Sequence, residues 1–159
     1  MKQVKFTQMR YINTNILNLK PHFYDKQWHL KDIMVDFAWK KNISGKGVTI
    51  CIIDCGVYDH IDLFIEKKKG YNNVDEQNIN GNEHGTQIAG IICARGTKYC
   101  LGIAPNAKLI SYNLLGDSGE KHLNKLYNFI NVNSNNIDVY NFEWKMKYQY
   151  IYSKDQILN

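Results

Sequence analysis

Apolar residues along this chain fall into short blocks divided by Gly, Asn and Asp, and the spacing inside each block predicts its element. Val48 to Ile53 is an unbroken, largely β-branched run between Gly47 and Gly56, the composition of a strand covered on both faces of a parallel sheet. Ala107 to Leu115 and Ile137 to Phe142 read as two further strands. His84 to Ala94 predicts a helix opening at the histidine, with Ile88, Ile91 and Ile92 toward the sheet. Glu120 to Val132 predicts an amphipathic helix with Leu123, Leu126, Phe129 and Ile130 inward, because these positions share one face at a period of 3.6 residues. Ile33, Phe37 and Ala38 give Asp32 to Lys41 the spacing of a shorter helix. The β-α-β-α-β alternation specifies an α/β fold with a right-handed, doubly wound parallel sheet. Residues 1–26 are polar, Asn-rich and aromatic and read as an arm over the domain surface, while residues 145–159 carry no assignable element.

A length of 159 residues fits one domain, and 44% hydrophobic with 22% charged residues is ordinary for a globular chain. The net charge of +5 comes partly from Lys67-Lys68-Lys69 and from lysines near the N-terminus, and the triple lysine reads as a solvated loop. No basic stripe interleaved with aromatics points to nucleic acid. No apolar run approaches the roughly 18 residues of a membrane span. Lys2, Lys5 and Arg10 have no apolar stretch behind them, so no secretory leader is expected in this chain.

Cys51, Cys55, Cys93 and Cys100 show no paired spacing. Four residues along a strand separate Cys51 from Cys55 by about 13 Å, too far for a disulfide. Cys51 and Cys93 are expected to be free, buried thiols. No His or second Cys stands at zinc-ligand spacing from any of them.

Two residues carry the candidate chemistry. Asp54 closes the apolar run, and His84 follows thirty residues later in Glu83-His84-Gly85-Thr86. Ligands of doubly wound sheets bind beyond the carboxyl ends of the strands, where both would sit. A carboxylate beside an imidazole holds one ring tautomer and stabilises the imidazolium formed when the ring takes a proton. Gly116-Asp117-Ser118-Gly119 spells a protease-like tetrapeptide, but between a strand and a helix these are loop and capping residues. Asn42-Ile43-Ser44 is a glycosylation sequon, meaningful only in a secreted chain.

These segments resemble the subtilisin-like serine proteases of peptidase family S8, and their flanks resemble the kexin-like proprotein convertases within it. Gln27-Trp28-His29-Leu30, Ile43-Ser44-Gly45-Lys46-Gly47-Val48, His60-Ile61-Asp62-Leu63, His84-Gly85-Thr86, Gly102-Ile103-Ala104-Pro105-Asn106-Ala107-Lys108 and Val139-Tyr140-Asn141-Phe142-Glu143-Trp144 occur in the family's order. The resemblance covers residues 27–144. It implies proteolysis of peptide or protein substrates, with Asp54 as orienter and His84 as general base. The family's nucleophile lies in a later Gly-Thr-Ser segment and its oxyanion Asn between the Trp-Gly segment and that Ser, neither of which occurs in these 159 residues. The expected fold is therefore a partial subtilisin-like sheet, truncated before the Ser-bearing helix. On its own this chain is expected to be inactive, with apolar surface exposed around Phe142 and Trp144.

The resemblance also implies a substrate pocket at Cys55, Glu143, Trp144 and Lys145. Convertases carry a second acid where this chain has Cys55, and a Ser-Trp-Gly segment where it has Glu143-Trp144-Lys145. Asp62 matches a calcium-binding position, and Cys100 matches a cysteine whose disulfide partner lies further along. Members of the family travel the secretory route. The alternative is a non-catalytic pseudoprotease, or a truncated product that binds peptide or protein without cleaving it.

Overall fold

The apolar run forms the central strand β1 (Thr49–Asp54), in a computed structural model that describes residues 24–70, 83–114 and 120–143. Ser118, Trp144, Lys145, the arm up to residue 23 and the tail 145–159 lie outside the described residues. Ahead of β1 come two short helices, α1 (Trp28–Asp32) and α2 (Val35–Lys40). After it come β2 (Ile65–Gly70), α3 (His84–Cys93), β3 (Lys108–Asn113), α4 (Glu120–Asn133) and β4 (Val139–Phe142). The sheet order is β2-β3-β1-β4, and every pairing is parallel.

Side-chain alternation along β1 divides the core. Ile50 and Ile52 join Leu109 of β3 against Ala89 and Cys93 of α3. Cys51 and Ile53 point the other way, with Ile110 and Tyr112 of β3, toward Leu126 of α4. Helices thus cover both faces, as the unbroken apolar run predicts for a strand with no solvated side. Phe129 and Ile130 pack on the α4-side cluster as expected. Of the three isoleucines assigned to the sheet face of α3, Ile88 and Ile92 pack there, but Ile91 is exposed. The fully buried positions of α3 are instead Gly85, Ala89 and Cys93, because small residues let the helix lie close to the sheet.

Three expectations need correction. The lysine run is not a loop: Ile65–Gly70 is the edge strand β2, paired with β3 from Ile65↔Leu109 to Gly70↔Asn113. An edge strand bonds to one neighbour and leaves its other side to water, so lysines suit it and discourage further pairing. Lys68 Nζ is held 3.1 Å from Asp59 Oδ1. The helix expected over Asp32–Lys41 is broken at Met34, whose φ of 53° is left-handed. The break turns Leu30, Val35 and Trp39 inward and leaves Ile33 and Phe37 in solvent. These three pack with Leu101 and with Tyr24, so the end of the expected surface arm is buried. Trp39 Nε1 donates to the Ile103 carbonyl at 2.9 Å.

Candidate active site

The register that buries Ile50 and Ile52 against α3 also aims Asp54, two residues on, at the same face. Here α3 begins with His84. His84 Nδ1 lies 2.8 Å from Asp54 Oδ2. The Asp54 carboxylate is 6% exposed and the His84 side chain 53%. The backbone N–H of Cys55 donates to the other carboxylate oxygen, Oδ1, at 2.7 Å. With both oxygens accepting, ionised Asp54 keeps the ring proton on Nδ1 and leaves the Nε2 lone pair free toward solvent. An imidazole so held can take a proton from a hydroxyl brought to Nε2 and is stabilised once charged.

Close backbone approach makes this contact possible. Gly56 has a φ of +96° and turns the chain sharply after β1. Its carbonyl oxygen would lie 2.4 Å from a Cβ at position 85, so only glycine fits after the histidine. Val57 N–H donates to Ser111 Oγ at 2.9 Å and Tyr58 N–H to Thr86 Oγ1 at 2.9 Å, tying the same turn to β3 and to α3.

The other expected residues are placed differently. Cys55 is 6% exposed, and its sulfur accepts the Gly85 N–H at 3.3 Å. Glu143 is exposed, directly after Phe142, which pairs with Ile53, so it emerges at the carboxyl edge of the sheet, as Asp54 does. Asp62 is fully buried. Its Oδ1 accepts the Lys98 N–H at 2.6 Å, and its Oδ2 those of Tyr99 at 2.8 Å and Cys100 at 3.3 Å. Three N–H dipoles pointing at the carboxylate present positive charge where a cation would bind, so this donor set does not suit calcium. Asp62 anchors the loop between α3 and β3.

Among the described residues none of the four cysteines is joined in a disulfide. Burial pushes the Cys51 and Cys93 thiols up to about 12. Cys100 is half-buried, and its thiol is raised by burial and then by the charge of Asp62.

Sequence reasoning did not find a cleft of about 710 Å³ beside α3, lined among others by Tyr58, His60, Glu83, Gln87 and Ile91. Its lining comes from four stretches of chain, around Gln27, Tyr58, Glu83 and Cys100, that only the fold assembles. Ile91 lines it from the helix face turned away from the sheet, the opposite of the face its spacing predicted.

A parallel α/β sheet with an Asp–His pair at the carboxyl end of its central strand is an arrangement in which a carboxylate can orient an imidazole. The chain belongs to the subtilase family, which it matches over residues 45–149. It is 37% identical over 120 residues to the minor extracellular protease Epr of Bacillus subtilis (strain 168), covering 73% of this chain and 18% of that protein. It is 32% identical over 93 residues to subtilisin Savinase of Lederbergia lenta, covering 58% of this chain and 35% of that protein. The crystal structure of MycP1 with the N-terminal propeptide removed superposes with a TM-score of 0.55 at 25% identity, over 72% of this chain and 36% of that one. The chain thus spans between about a fifth and a third of these relatives' lengths.

Proposed function

We propose that this chain supplies the Asp–His portion of a serine endopeptidase that cleaves peptide bonds in protein substrates. The carrying observation is the 2.8 Å contact from His84 Nδ1 to buried Asp54 Oδ2, with the far side of the ring open to solvent. In this reading Asp54 fixes the tautomer and His84 Nε2 accepts the proton of a serine hydroxyl, then returns it to the leaving amine. Membership of the subtilase family supports the assignment of the two roles.

The kexin-like branch is the narrower form of the proposal and is supported by the collinear flanking segments. A basic substrate side chain would then meet the position of Cys55 and the segment Glu143-Trp144-Lys145. With the Cys55 sulfur turned inward, Glu143 is the described acidic residue that would receive it. A second reading, a peptide-binding pseudoprotease, is favoured by Cys55 itself, an uncharged and buried group where convertases carry an acid.

The test is chemical. Acylation of His84 by p-nitrophenyl acetate, followed by mass spectrometry, reads the nucleophilicity of Nε2. Asp54→Asn is expected to slow it about tenfold, equivalent to ~1.4 kcal/mol, and equal rates in the two proteins would sink the proposal. The 159 residues alone are expected to show no peptide turnover, since none of them forms a Gly-Thr-Ser segment. Turnover that disappears in both Asp54→Ala and His84→Ala would overturn that expectation.

A further inference from the structure

The first N–H groups of any helix lack partners inside it and must find acceptors elsewhere. In α3 the residue at the cap position, Glu83, makes no side-chain capping bond. The first backbone bond of the helix is Gln87 N–H to the Glu83 carbonyl at 3.0 Å. The Gly85 N–H, in the first turn and buried, therefore needs an acceptor from outside α3. It finds one in Cys55 Sγ, 3.3 Å away at the end of β1.

Resting on the reading of Asp54 and His84 as an acid–base pair, we propose that Cys55 is a positioning residue: its sulfur caps α3 from the neighbouring strand and thereby sets His84 against Asp54. Cys55 follows Asp54, and Gly85 follows His84, so the sulfur contact joins the two backbones one residue beyond the two functional side chains. Any slackening of it moves the ring relative to the carboxylate. The Cys55 backbone N–H meanwhile holds Asp54 Oδ1 at 2.7 Å, so one residue fixes the carboxylate through its N–H and the helix through its side chain. Burial raises the thiol above its ordinary value, the Gly85 N–H opposing that shift, and the protonated sulfur lies 3.8 Å from the Gly56 carbonyl as a donor. Cys55 is thus placed to serve the geometry of the pair rather than to touch substrate.

Nitrogen-15 NMR of the His84 ring in the full 159-residue chain, at a pH where the imidazole is neutral, reads the tautomer directly. The Nδ1-protonated form is expected to dominate in the wild type and to be lost in Asp54→Ala. It should persist in Cys55→Ser, which keeps an acceptor, and become the minor form in Cys55→Ala. A wild type without that dominant tautomer strikes the Asp54–His84 reading itself. Dominance in the wild type that is unchanged in Cys55→Ala overturns the role of Cys55 alone, as does its loss in both Cys55 variants, since bulk and not the acceptor would then matter. The wild type provides an independent check should Cys55→Ala not fold. The Gly85 amide must exchange slowly with solvent, and exchange at the rate of an unprotected amide overturns the capping contact.

Discussion

Nothing larger than hydrogen can stand on the α carbon after His84. A methyl group there would meet the Gly56 carbonyl oxygen at 2.4 Å and Asp54 Cβ at 3.2 Å. The first is backbone in a left-handed turn and cannot step aside, and the second belongs to the residue that orients the ring. Gly85→Ala should therefore cost about 1–3 kcal/mol, the range of overpacked interiors, and should also part His84 from Asp54. Urea unfolding measures the first effect, and the His84 ring tautomer the second. A variant with wild-type stability and tautomer would show that the turn yields more than this packing allows. The Asp54–His84 pair was legible in the sequence because the end of an unbroken apolar strand and a helix start place both at the carboxyl edge of a parallel sheet. The inward turn of Cys55 was not legible, since whether a side chain after a strand faces substrate or helix depends on the backbone path at the strand's end and on what packs there, which composition does not reveal.

At the scale of elements, the loop between α3 and β3 is held by one fully buried carboxylate. Asp62 takes the N–H groups of Lys98, Tyr99 and Cys100, and its own carbonyl accepts the Arg95 N–H at 2.8 Å. Asp62→Ala keeps the last bond and removes the other three, leaving part-buried donors without their acceptor, and should destabilise by about 1–3 kcal/mol. Calcium should change the unfolding midpoint of neither protein, and a calcium-dependent rise in the wild type that is absent from the variant would restore the cation role. The legibility of the elements follows the same physics of burial. The central strand and the helices covering it announced themselves because burial on both faces demands unbroken apolar residues at β1 and one apolar face on α4. The edge strand β2 needs a single partner and tolerates three lysines, so it left no such mark. Helix α1 was not read at all, and the helix expected over Asp32–Lys41 begins only at Val35, because the left-handed turn at Met34 has no signature in a methionine.

Across the whole molecule the two faces of the sheet each bury one thiol, Cys51 from β1 toward α4 and Cys93 from α3 toward the sheet. Both are raised from 9.0 to about 12, with burial the largest cause. Below pH ~9 the thiol is protonated in folded and unfolded chains alike, and the core is at full strength. As pH climbs from there toward 12, the unfolded chain releases these protons while the folded one keeps them. The unfolded state gains, and stability falls by up to ~1.4 kcal/mol per pH unit for each thiol. Between about pH 8 and pH 10.5 each should contribute a loss of about 2 kcal/mol, read from urea unfolding at the two values. Tyr112 and Tyr140 are also raised, again chiefly by burial, and push in the same direction, so the thiol share is isolated by substitution. Cys51→Ala and Cys93→Ala should each lower stability at pH 8 through the cavity they leave, yet each should flatten the alkaline decline by about 2 kcal/mol. A decline as steep in the double variant as in the wild type would mean that neither thiol is as desolvated as its place in the core requires.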